Sequence, residues 1–319
     1  MNKKIIKRLI IFVMIVFLLS IPLIIFNNRA PVLIVTDEIF IEIYGAKRLE
    51  SESFRGSLTL FRNIKIVKIV DDISDDLIPF SVEGISEKPY CVVFPSRYGR
   101  SAMLYHESNP DIRVIVLEGR NFDMNNLSST ALEPNIFRYR TDLEADFYRA
   151  GYIAGSFSPP APKTNESEET AAVIAEENQK RSVVFFMDSQ LYQLGGQKLR
   201  EIFQEGINKH ENPAEIKFFT SFSDFSGNLG LSCVVLAGSG SEYLNNKSGV
   251  PVLVFSWLDP ILATSDVAML IDDSPLAQVV QAVKMADSGA TEGFIKSRFI
   301  VMDIKKGDKQ LLRRIKESS

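Results

Sequence analysis

The chain has 319 residues, 45% of them hydrophobic and 24% charged, with 36 basic and 40 acidic side chains. That length exceeds one simple core and points to two lobes, and the composition is that of a folded globular protein. With two cysteines and two histidines, a disulfide scaffold, a zinc site and a histidine-dependent triad are all excluded as expectations, and no cofactor is expected.

The first element is hydrophobic. "MNKKIIKR" sets Lys3, Lys4, Lys7 and Arg8 ahead of an uncharged run of 18 residues from Leu9 to Phe26. At 1.5 Å per residue the run spans about 27 Å as a helix, close to the hydrocarbon thickness of a bilayer. The basic residues precede it, so the N-terminus should remain in the cytoplasm and the remainder be exported. The run is longer than a signal-peptide core and "NNRAP" is a poor cleavage site, so residues 1–30 are expected to be an uncleaved signal anchor in a bacterial inner membrane. No cysteine follows for lipidation. Without those four cations the exported part has 32 basic against 40 acidic residues, a net charge near −8. This is opposite to the balance of a nucleic-acid-binding protein, and no nucleic-acid partner is expected.

Beyond the anchor, apolar β-branched runs alternate with amphipathic segments. Strands are expected at 31–37, 64–70, 90–95, 112–119, 136–140, 182–188, 216–222, 232–238 and 250–257. Their scant polar alternation suits central strands of parallel sheets. Cys91 in "YCVVF" and Cys233 in "SCVVL" should be buried within such strands. His106 and His210 lie in charged helical surroundings and are expected at the surface.

"TDLEADFYRAGYIAG", residues 141–155, reads as a helix with Leu143, Phe147, Ala150 and Ala154 on one narrow buried face. Gly151 should cost about 1 kcal/mol relative to alanine there, which a close approach of neighbouring backbone would offset. Later, "GGQKLREIFQEGINKH" carries an apolar stripe of Leu199, Ile202, Phe203 and Ile207. In "DSPLAQVVQAVKMADSG", Ser274 caps, Pro275 takes the first helical position, and Leu276, Val279, Val280 and Val283 face inward. Alternation of this kind gives an α/β fold with parallel sheets flanked by helices. The proline- and charge-rich stretch 156–181 reads as a mobile insertion, and 311–319 as a basic tail.

In a parallel α/β sheet ligands gather at the carboxyl ends of the strands. These ends supply Asp37, Ser96, Arg97, Tyr98, Arg100, Asp188, Tyr192, Gly238, Ser239, Trp257 and Asp259 as candidates, with aromatic rings for stacking and polar groups for hydrogen bonds. For each residue singly the ordinary alternative is a cap or an exposed side chain. "GSGSEY" at 238–243 lacks the second half of GxGxxG and a P-loop lysine, so a tight strand-to-helix turn is the favoured reading. No G-x-S-x-G elbow, HExxH or paired acid–base carboxylates occur, and an enzyme is not expected.

"NIFRYRTDLEADFYRAGYIAG", "PYCVVFPSRYGRSAMLYHESNPDIRVIVLEG", "FFTSFSDFSGN" and "PVLVFSWLDP" together resemble, in order, segments of the basic membrane protein family, the purine-nucleoside-receptor-like substrate-binding proteins. The matches cover most of residues 31–305. The resemblance implies a two-lobe type I periplasmic-binding-protein fold with ligand in an interlobe cleft. Lobe 1 would take 31–138 plus 262–289 and lobe 2 would take 139–261 plus 290–310, with the helix of 141–155 packing against the lobe 2 sheet. It further implies that Phe40 stands in the family's phenylalanine–asparagine pair, that Tyr192 stacks on a base, and that Asp259 fills the late acidic position. Arg100 stands where the family has the aspartate that grips ribose, and Asp266 near the family's lysine. A cation cannot accept the sugar hydroxyls as a carboxylate does. The expected ligand is therefore a small polar solute, nucleoside-like or other, bound for ABC import or sensing, with an ABC permease or an envelope protein as partner. The alternative is a degenerate scaffold that contacts envelope proteins without binding solute.

Overall fold

A computed structural model of the chain describes residues 28–70, 73–118, 134–158, 181–188, 190, 196–226, 230–245, 249–256, 267–302, 313, 315 and 316. The expected anchor, the body of the 156–181 insertion and most of the basic tail lie outside the described residues, as do Tyr192, Trp257, Asp259 and Asp266. Among the described residues no helix is long and apolar enough to cross a membrane.

The chain divides into two compact units, residues 1–139 with 279–293 and residues 140–278 with 294–319. It therefore passes from one to the other three times, at 139/140, 278/279 and 293/294.

The first unit is built on a six-stranded sheet. Its strands are β1 (Val32–Asp37), β2 (Ile64–Ile69), β3 (Cys91–Pro95), β4 (Arg113–Glu118), β5 (Ile136–Thr141) and β11 (Glu292–Ile295). Their order is β11-β5-β4-β3-β1-β2. β1 runs parallel to both β2 and β3, and β3 runs parallel to β4. Burial follows position in the sheet. Every residue of central β1 is buried, whereas edge strand β2 exposes Lys65 and Lys68 between buried Ile64, Val67 and Ile69. Lysines on an edge strand also protect it against pairing with a foreign strand. Helices α1 (Glu38–Tyr44), α2 (Ala46–Leu60), α3 (Ile78–Glu83) and α4 (Gly99–Ser108) connect these strands.

The second unit repeats the plan. β6 (Ser182–Met187), β7 (Glu215–Phe219), β8 (Leu231–Ala237), β9 (Val252–Phe255), β10 (Val267–Asp272) and β12 (Arg298–Val301) form a sheet of order β12-β10-β9-β8-β6-β7. Only β12, paired with β10, is shown antiparallel. Its helices are α5 (Leu143–Ala154) and α6 (Gly196–Ile207), while α7 (Pro275–Asp287) contains the 278/279 passage. Because β10 pairs with β9, residues 267–278 fall in this unit, although the sequence division grouped 262–289 with lobe 1.

Each of the nine expected strands is present, shifted at its ends by at most a few residues. β10, β11 and β12 were not expected. β11 and β12 have four residues each, of which only Ile295 is buried, so they carry no long apolar signal.

α5 buries the expected face, Leu143, Phe147, Ala150 and Ala154. The ring of Phe147 lies 5.7 Å from Phe185 on β6 and 4.8 Å from Phe255 on β9, which is the contact with the sheet. Gly151 serves a different neighbour. A β-carbon there would fall 2.1 Å from the carbonyl oxygen of Phe203, and one at Gly206 would fall 2.2 Å from that of Tyr148. The two glycines thus let α5 and α6 approach backbone to backbone, so the tight packing expected against the sheet is made against a helix. Tyr152 and His210 stack at 4.9 Å across the same pair, and His210 Nε2 lies 2.7 Å from the Tyr152 carbonyl.

Cys91 and Cys233 are fully buried, as expected of strand residues. His106 is not the surface residue expected; it is 3% exposed on the inner face of α4, beside Tyr105 and Ala102.

Candidate functional site

The carboxyl ends of β1, β3 and β4 are neighbours in the first sheet. β1 ends in Asp37, which is 1% exposed. Its Oδ1 accepts the Phe40 N–H at 2.6 Å and so caps α1, an extended residue placed where helix donors lack partners. Its Oδ2 accepts from the Tyr98 hydroxyl at 3.3 Å and pairs with the Arg97 guanidinium. Arg97 in turn lies over the Tyr98 ring, 4.7 Å from its centroid. Ser96, Arg97 and Tyr98 form a short 3₁₀ turn directly after β3, which delivers them to the end of β1.

The other first-unit candidates stand around this group. Phe40 stacks on Tyr44 at 5.2 Å with the rings 14° apart. Arg100 is exposed and faces Asp76 at 3.8 Å, a distance worth little in water. Ser101, one residue on, donates to Asp75 at 2.9 Å. Glu118 was missed by sequence reasoning. It is the last residue of β4 and 6% exposed, the position that Asp37 holds on β1. An acidic residue closing a strand, as in "VTD" and "VLEG", is the signal that could have found it.

At the carboxyl ends of the second sheet the candidates are turn builders. Gly238 and Gly240 have φ of 77° and 79°, and a 3₁₀ turn over Ser241–Asn245 follows, so "GSGSEY" is the strand-to-helix turn favoured by its sequence. Gly240 is also required sterically, since a β-carbon there would sit 2.5 Å from the Phe186 ring. Ser239 donates to the Thr220 carbonyl at 2.5 Å and joins the ends of β8 and β7. Asp188 accepts the Gln190 N–H at 2.8 Å. The phenylalanines of "FFTSFSDF" pack on one another: Phe219, Phe222 and Phe225 all lie within 6.1 Å of the Phe186 ring.

The second unit holds a buried polar cluster that sequence reasoning did not foresee. Asp146 on α5 accepts the Ser297 N–H at 3.0 Å and its hydroxyl at 2.5 Å. Burial pushes the Asp146 carboxyl up to about 7; the Ser297 bonds and Arg149 oppose this and Asp273 adds to it. Asp273, 1% exposed, accepts both the N–H and the hydroxyl of Ser256 at 2.9 Å. Among the described residues no group of three His, Cys, Asp or Glu is placed to hold a metal ion.

Two sheets of mostly parallel strands flanked by helices, with three chain passages, match the type I periplasmic-binding-protein fold. Among solved structures the chain is similar to a transcriptional activator of the comK gene from Bacillus halodurans, at 12% identity and a TM-score of 0.52, over 91% of this chain and 95% of that one. It is also similar to an ABC-transporter periplasmic solute-binding protein from Actinobacillus succinogenes with bound D-allose. That match has 11% identity and a TM-score of 0.49, and covers 89% of this chain and 99% of the other. At such identities the likeness concerns the fold. No family model matches the chain, and no curated protein matches it.

Proposed function

We propose that the protein is a membrane-anchored, extracytoplasmic solute-binding protein that takes a small polar ligand at the carboxyl edge of its first sheet. The observation that carries this reading is the convergence of Asp37, Ser96 and Tyr98 with Arg97 at adjacent strand ends, where a parallel α/β sheet receives ligands. Carboxylate, guanidinium and hydroxyls beside the rings of Phe40 and Tyr98 suit a sugar or a nucleoside, with hydrogen bonds fixing orientation and a ring covering an apolar face. Binding would serve ABC import or sensing. The run Leu9–Phe26 would hold the protein in the inner membrane with its main part outside the cytoplasm.

A second reading, a scaffold that contacts envelope proteins without solute, has an observation of its own. Asp37 already accepts from Phe40 and Tyr98 and pairs with Arg97, so a ligand must displace contacts made by the chain itself.

Thermal unfolding of the full chain in detergent, screened against sugars, nucleosides, nucleobases and amino acids, separates the two. A true ligand at 100 times its Kd stabilises the native state by about 2.7 kcal/mol. A shift confined to one compound class supports solute binding and names the class. A cooperative transition that no compound moves favours the scaffold.

A further inference from the structure

The first unit carries an apolar face that its strand-end site does not use. On α2, Phe54 and Leu58 lie one turn apart and are 63% and 56% exposed, and Phe61, the residue that ends the helix, is 40% exposed. Phe61 has φ of 53°, a left-handed conformation that ordinarily selects glycine or asparagine at a helix end. Beside Phe54 a groove of about 870 Å³ runs between α1, α2 and β2, lined by Ile41, Ile64 and Ile66 together with Lys47, Glu50 and Asn63. Large apolar side chains exposed together in this way mark an interaction surface.

The path of the chain says which. Arg29 places its guanidinium over the Phe61 ring, 4.8 Å from the centroid, and Arg62 donates to the Ala30 carbonyl at 3.3 Å. Residues 29 and 30 are thus fastened to the C-terminal end of α2. Phe26, the last residue of the apolar run, is three residues before Arg29. Three residues of chain span at most about 11 Å. If that run spans a bilayer, the lipid surface starts beside Phe61.

We infer that this face, Phe54, Leu58 and Phe61 with the adjoining groove, docks onto the outer surface of the membrane that the N-terminal run enters. The inference rests on the anchor reading proposed above. The side chains suit it. Aromatic and aliphatic groups enter the boundary between headgroups and acyl chains, and Arg29, held over the Phe61 ring, meets anionic headgroups. Docking would fix how the first unit is held relative to the membrane and would shield its apolar face from water.

The test uses the full chain in vesicles whose acyl chains carry bromine, a contact quencher of tryptophan. Trp257, the sole tryptophan, is changed to phenylalanine, and single reporters are introduced as Phe54→Trp, Leu58→Trp and, within the run, Phe17→Trp. Docking predicts that all three lose most of their emission, and that the loss at 54 and 58 deepens with anionic lipid. Quenching at 17 with none at 54 or 58 overturns the docking and leaves the anchor standing. Absence of quenching at 17 overturns the anchor and the docking with it. A blue-shifted, unquenched reporter at 54 in a protein that sediments as a dimer assigns the face to a second copy and also overturns the inference.

Discussion

Asp146 and Ser297 lie 151 positions apart in sequence, yet the Asp146 carboxylate takes both the N–H and the hydroxyl of Ser297, at 3.0 and 2.5 Å. Asp146 follows the passage at 139/140 and Ser297 follows that at 293/294, so the pair ties together the segment with which the chain enters the second unit and the one with which it returns. Arg149, one turn on, donates to the Ser297 carbonyl at 3.3 Å and places its guanidinium over the Phe299 ring.

This pair makes stability depend on pH in a defined direction. The Asp146 carboxyl is raised from 3.8 to about 7 in the folded protein. Between those values the native state holds a proton that the unfolded chain has released, so this contribution is fully present below about pH 4. It is lost as pH rises through 7, by up to about 1.4 kcal/mol per pH unit. Urea unfolding between pH 4 and 8 should show the decline, and Asp146→Asn, which keeps an acceptor for Ser297, should flatten it. An unchanged slope in the variant would refute the assignment.

Gly151→Ala and Gly206→Ala should each destabilise the protein although alanine is the better helix former by about 1 kcal/mol. The added methyl would overlap the Phe203 or Tyr148 carbonyl, so α5 and α6 must separate, at a cost of about 1–3 kcal/mol or more. Gly99, the first residue of α4, meets nothing within 4 Å of an added β-carbon. Gly99→Ala should therefore be neutral or stabilising by up to about 1 kcal/mol. Melting temperatures of the three variants decide the matter, and equal behaviour would count against helix–helix contact as the reason for the glycines.

Asp37→Ala removes the cap of α1 and one acceptor of the Tyr98 hydroxyl, with an expected loss of about 1–3 kcal/mol. Asp37→Asn keeps the cap acceptor but sets an amide N–H2 where Oδ2 accepted from Tyr98 and paired with Arg97, so it should lose less than Asp37→Ala but should not be neutral. If a solute shifts the melting temperature of the parent, Asp37→Asn should reduce that shift while the fold survives. A full shift in the variant would remove Asp37 from the site.

Cys91 and Cys233 should resist a thiol reagent in the native protein and react together on unfolding. Both are fully buried, and burial pushes the Cys91 thiol up to about 12 and the Cys233 thiol well above its ordinary value. Only the thiolate is nucleophilic, so access and ionisation both protect them. Labelling under native conditions at the rate of a free thiol would contradict their placement in β3 and β8.

How far the sequence could be read depended on how local each determinant is. The stretch "VVFFM", residues 183–187, is apolar at every position because β6 is buried on both faces, so strand and burial could be read together. The Ser274 cap of α7 was legible for the same reason; its hydroxyl accepts the Ala277 N–H at 3.2 Å within one turn. Gly151 announced a close approach, but nothing in its own segment named Gly206 as the partner. In the candidate site Asp37 and Tyr98 were legible as strand-end residues, whereas the capture of Asp37 by Phe40, Arg97 and Tyr98 was not. Glu118 and Asp146 look in sequence like an ordinary strand end and an ordinary first-turn acid.

By itself, then, the sequence determined the α/β class and nine of the twelve described strands, because periodicity and strand ends are properties of a few consecutive residues. Tertiary structure alone decided that β10 and β12 join the second sheet, that α5 meets α6 through paired glycines, and that Asp146 is buried against Ser297. These are contacts between segments tens to hundreds of residues apart. Their stability comes from desolvation and shape fit, which no single segment encodes.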